Sequence, residues 1–105
     1  ALPDPSVANE AKKAQIDKLL ADAKEAKKNW TFKTAVDALL KCLTLDSKNP
    51  DCTVSLASTY ATRGSKENNE EDNKKAKQMY EQFLKVAAPE DKRRGRVAEI
   101  LAGQK

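Results

Sequence analysis

Cys42 and Cys52 are the residues whose type and spacing first suggest chemistry. They flank the stretch LTLDSKNPD, so a chain that doubles back there brings two thiols within reach of a disulfide or a redox pair. The other reading is that Cys42 fills a small core site and Cys52 packs at a helix start. Spacing alone does not decide between them, and both stay open. Two thiols supply too few ligands for a structural metal, and the chain contains no histidine. Serine-histidine and cysteine-histidine catalysis, histidine-ligated metals and an imidazole pH switch are thereby excluded together. No glycine-rich phosphate loop is present, no nucleophile stands beside a positioned base, and the acids of SKENNEED (65–72) lie in a polar run. No enzyme, cofactor or metal is expected.

The remaining candidates concern binding. Lys24, Lys27 and Lys28 crowd one stretch and suit an acidic peptide or a chain terminus; a solvated face is the plainer alternative. Trp30, the single tryptophan, falls at a turn, either as a partner anchor or as a staple closing a hairpin. The run KRRGR (92–96) suits phosphates, yet no aromatic residues interleave with it for base stacking. The net charge of +4 comes from interspersed signs and lacks a segregated basic arm, so nucleic acid is an unlikely partner class. The longest apolar run falls far short of the roughly 18 residues of a membrane span, and none is expected. The opening ALPDPS lacks a methionine, which fits either a piece of a longer protein or a trimmed leader.

These residues need elements to position them. Ile16, Leu19, Leu20, Ala23 and Ala26 recur at helical spacing and predict a helix over 6–28. Phe32, Ala35, Val36, Leu39 and Leu43 form a second stripe ending near Asp46, with a turn at 29–31 making a helical hairpin. Asn49 as cap and Pro50 at the first helical position open a third helix carrying Leu56, Ala57, Tyr60 and Ala61, expected to stop at Gly64. Residues 65–72 read as a polar insertion, within which Asn69 followed by three acids marks the start of a fourth helix. Ala76, Met79, Tyr80, Phe83, Leu84 and Ala87 give that helix its core face. Val97, Ile100 and Leu101 make a narrower face for a closing helix within 89–105. No segment alternates with period two, so the fold class is all-α, with about five helices.

TAVDALLKCLTL (34–45) and KAKQMYEQFLKV (75–86) align at a constant offset of 41 residues. Ala35 meets Ala76, Leu39 meets Tyr80, Cys42 meets Phe83 and Leu43 meets Leu84, the small and large positions that let a helix approach closely and interlock. With Ala23, Phe32, Leu45 and Asp46 in the first unit and Leu56, Ala57, Tyr60 and Gly64 in the second, the chain resembles the tetratricopeptide repeat family over about residues 16–89. Departures include Trp30 where the family has glycine, Ser47 where it has proline, and about seven residues inserted before Ala76.

The resemblance implies antiparallel helix pairs stacked as a short right-handed superhelix. It divides a single domain, 1–105, into a lead-in (1–5), a first pair (6–49), a second pair with its insertion (50–88) and a capping helix (89–105). It further implies a protein-protein interaction module or scaffold that takes a peptide or a neighbouring domain, in a bacterial signalling or envelope protein. Lys24, Lys27, Lys28, Trp30 and Ser58 are then the candidate partner-binding residues. A second expectation is a self-associating assembly element of a secretion or envelope complex, hence a homo-oligomer. A cytoplasmic setting is slightly favoured over a periplasmic or envelope-associated one.

Overall fold

The computed structural model describes the backbone of residues 5–103 and the side chains of residues 10–103. Five helices follow one another: α1 (Pro5–Lys28), α2 (Phe32–Leu45), α3 (Pro50–Lys66), α4 (Glu70–Val86) and α5 (Arg93–Gly103). No strand occurs among the described residues. The fold is all-α, as the helical periodicity predicts. α1 packs on α2 and α3 on α4; α2 lies against α3, α1 also touches α3, and α5 covers α4.

Local chemistry accounts for the boundaries. The Asn49 side chain accepts the Cys52 backbone N–H at 3.0 Å, while Pro50 occupies a position where its missing N–H costs nothing. Asn69 accepts from Glu71 and Asp72 in the same way, and the acids that follow face the positive end of the α4 dipole.

Both hairpin turns share one closing motif. Trp30 and Asn68 are the two residues with left-handed φ, 64° and 55°. The next N–H in each turn reaches back five residues, Thr31 to the Ala26 carbonyl and Asn69 to the Gly64 carbonyl, at 2.8 Å in both. This pattern terminates a helix and reverses the chain.

The turns correspond at an offset of 38 residues, not the 41 that relates the apolar stripes. The difference is absorbed as helix, since α4 has 17 residues against 14 in α2. The polar insertion 65–72 divides into helix ends and a turn: Ser65 and Lys66 complete α3, residues 67–69 form the turn, and Glu70 opens α4 behind the Asn69 cap. Gly64 is not the expected terminator; it is buried inside α3, where a Cβ would run into the Asn73 amide and lie 3.1 Å from the Asn69 carbonyl. The missing side chain lets α4 approach α3 closely. At the other end, α1 already includes Pro5, which the sequence reading assigns to the lead-in.

The core is built from the aligned stripes: Ala35, Leu39, Cys42, Leu56, Ala57, Ala76 and Phe83 are essentially inaccessible. Cys42 and Cys52 form a disulfide with Cα atoms 6.3 Å apart, joining the end of α2 to the start of α3 inside that core. The bridge and the core-filling role are therefore one arrangement. Arg63 clasps the buried Asp72 carboxylate through two hydrogen bonds of 2.7 and 2.9 Å, tying α3 to α4 across their turn.

α5 closes the far side. Val97 is buried against the core, and the Arg94 guanidinium donates to the Leu84 and Ala87 carbonyls at 2.8 and 3.1 Å, satisfying acceptors that the end of α4 leaves open. Arg93 bonds Asp91 and reaches Asp51 at the start of α3, at 2.8 Å.

Candidate functional site

Where α1 crosses the face of α3, a cavity of about 240 Å³ opens between them, with Leu39 of α2 contributing to its wall. α1 supplies Leu20, Ala23, Lys24 and Lys27, and α3 supplies Ser55, Ser58 and Thr59. The small Ala23, 3% exposed, keeps the helices close, while the longer residues at the rim hold the cleft open. Leu20, Ala23 and Lys27 fall on one side of α1 because a helix repeats its face every three to four residues.

Lys27 is the distinctive group. It is partly buried, and its Nζ donates to Ser58 Oγ at 2.8 Å across 31 residues of sequence. Among the described residues it is in no ion pair. Burial pushes its ammonium below the ordinary lysine value, because the charged form loses solvent there. Lys24, exposed at the rim, adds a second positive charge, also unpaired among the described residues. The cavity therefore combines an apolar wall, hydroxyl oxygens and two cations. Its lining holds no carboxylate, thiol or imidazole, and its charged groups are the two ammonium ions.

Three of the five sequence-predicted residues, Lys24, Lys27 and Ser58, meet here. Lys28 does not line the cavity; it is exposed on the last turn of α1. Trp30 stands apart at the turn, 56% exposed, packed edge-on against Phe32 with ring centroids 5.8 Å apart and capped by the Lys66 ammonium 3.7 Å from its ring. The Phe32 contact stays within the turn and the first residue of α2, and more than half of the Trp30 surface is open to solvent.

Leu20, Ser55 and Thr59 complete the cavity. A second cleft of about 430 Å³ lies between α1 and α2, lined by Gln15, Lys18, Leu19, Lys41, Thr44 and Leu45. It is apolar and shallow, and its Lys18 is already paired with Asp22 at 3.3 Å. No side chain there is both desolvated and without a countercharge, which is what distinguishes the α1–α3 cavity.

No helix among the described residues is long and apolar enough to cross a membrane. The described residues thus form an all-helical fold with a cleft between α1 and α3 that carries two lysines. Compared with protein-family models, curated proteins and solved structures, the chain gives no match.

Proposed function

We propose that this protein is an interaction module, a tetratricopeptide-like stack of two helix pairs and a capping helix, that takes an acidic segment of a protein partner in the groove between α1 and α3. The observation that carries the reading is Lys27: a partly buried ammonium in a cavity, satisfied by one hydroxyl and by no carboxylate. Holding an unpaired cation away from water is unfavourable, and an incoming carboxylate relieves that cost through a charge-assisted hydrogen bond. Two consecutive hairpins supporting the groove, and the equivalent turns at Trp30 and Asn68, favour a repeat architecture in which such grooves lie along the first helix of each pair.

The buried disulfide favours an oxidising compartment, and so the periplasmic or envelope alternative over the cytoplasmic one.

An array of octapeptides, each carrying glutamate or aspartate beside its glutamine or asparagine counterpart, tests the groove. The acidic members are retained and their neutral counterparts are not. Lys27→Met weakens retention at least about tenfold, equivalent to roughly 1.4 kcal/mol. Equal retention of acidic and neutral peptides, or an unaffected Lys27→Met variant, removes the reading.

A further inference from the structure

A second cleft lies further along α3. α3 carries Ser55, Ser58, Thr62 and Ser65 at three- and four-residue intervals, which keeps them on one face. Thr62 and Ser65 line this cleft of about 440 Å³, completed by Trp30, Ala61 and Lys66. Ser58 Oγ donates to the Ser55 carbonyl at 3.0 Å and Thr62 Oγ1 to the Ser58 carbonyl at 2.8 Å. Their protons are committed to the helix, so what these hydroxyls offer a ligand is lone pairs. Lys27 already uses one at Ser58. Backbone N–H groups of an extended peptide are suited to the next.

Trp30 walls the end of this path in a conformation that a large residue adopts at a cost. Its φ is 64°, whereas the equivalent turn uses Asn68, one of the few non-glycine types that visit this region readily. The strain is not offset by burial, because the residue remains 56% exposed.

We propose that Trp30, Ala61 and the Lys66 side chain form a second subsite, for a large apolar side chain of the same extended peptide whose carboxylate meets Lys24 and Lys27. The proposal rests on the groove reading and adds a specificity to it. Seven residues of α3 separate Ser58 from Ser65, about 10 Å at the helical rise. A chain extended as polyproline II advances about 3.1 Å per residue and repeats its face every three residues, so the acidic and apolar side chains stand about three residues apart on one side. An anionic membrane is the less suited occupant: Trp30 is the one large exposed apolar side chain at this cleft, beside the hydroxyls of Thr62 and Ser65.

Selection of a random octapeptide display library against the wild type, Lys27→Met and Trp30→Asn tests this. The wild type enriches an acidic residue three positions from Leu or Phe. Trp30→Asn, which installs the residue of the equivalent turn, keeps the acidic preference, loses the apolar one and binds the enriched peptide at least tenfold more weakly. Lys27→Met does the reverse. Because Trp30 is the only tryptophan, its emission in the wild type moves to shorter wavelength when the enriched peptide is added, a readout independent of whether either variant folds.

Acidic enrichment that ignores Trp30→Asn, with unchanged emission, overturns the subsite and leaves the groove. Apolar enrichment that ignores Lys27→Met overturns the shared peptide and the acidic groove together. Absence of any enrichment overturns both. Trp30-dependent sedimentation with phosphatidylserine vesicles, without peptide enrichment, replaces the peptide with a membrane surface.

Discussion

Replacing Cys42 and Cys52 together by alanine removes the disulfide that cross-links the two helix pairs. The bridge spans a sequence separation of 10 residues. The chain-entropy estimate for a loop of that size gives about 2.5–3 kcal/mol, through restriction of the unfolded chain. Both sulfurs are also fully buried beside Leu39 and Leu56, so the alanine pair leaves a small void and the loss in the variant exceeds that in the reduced wild type. For a domain of this size each 1 kcal/mol moves the melting temperature by roughly 4–8 °C, which puts the shift at about 10–20 °C.

Thermal melts followed by circular dichroism, with and without reductant, read it directly, and thiol counting in denaturant establishes the redox state in each sample. The expected results are no free thiol in the native protein, two after reduction, and the lower melting temperature only in the reduced sample. Two free thiols in protein kept from reductant, or a fully reduced protein melting at the same temperature, refutes the reasoning.

Asp72→Asn breaks a doubly hydrogen-bonded, nearly inaccessible carboxylate and costs about 2 kcal/mol by chemical denaturation. The Arg63 hydrogen bonds hold the Asp72 carboxyl below its ordinary range. Its folded value thus lies below its unfolded one, so its contribution is intact above about pH 4 and is lost as pH falls through the folded value. Acid denaturation of Asp72→Asn should lack that part of the pH dependence, and identical acid profiles argue against the clasp. Val97→Ala empties the contact that seats α5 and costs about 2 kcal/mol, while deletion of residues 97–105 lowers the melting temperature of the whole domain. An unchanged melt after truncation shows that α5 is not a cap. Gly64→Ala displaces the Asn73 amide and sets a methyl 3.1 Å from the Asn69 backbone carbonyl, so it should destabilise although alanine favours helices; a gain in stability would mean that the α3–α4 spacing can give.

Much of this fold was legible because its signals are local. The apolar stripes of α2 and α4 repeat at helical spacing, and Asn49-Pro50 and Asn69 followed by acids mark helix starts whose capping bonds need no distant partner. Gly64 was misread because a glycine near a helix end satisfies the terminator pattern, whereas its actual reason is the approach of Asn73 from another helix. The left-handed turn residue belongs four positions later, at Asn68.

The site divides in the same way. Lys24 and Lys27 were visible as a lysine cluster, but only the packing of α1 on α3 shows that Lys27 is partly desolvated and Lys28 is not part of the cavity. The Arg63–Asp72 clasp crosses a turn between two helices and carries no period of its own. The hydroxyl row of α3 could have been found, since Ser55, Ser58, Thr62 and Ser65 hold to helical spacing; polar residues on a helix simply attract less notice than apolar ones.

The central claim is that partners enter between α1 and α3. Titration of the isotopically labelled protein with the best-retained acidic octapeptide, followed residue by residue through backbone amide NMR shifts, locates the contact. Saturable shifts concentrated at residues 20–27 of α1 and 55–65 of α3, and abolished by Lys27→Met, are the result this account predicts. Shifts confined to Leu19, Lys41 and Leu45 in the α1–α2 cleft, or to the basic face of α5, would contradict it.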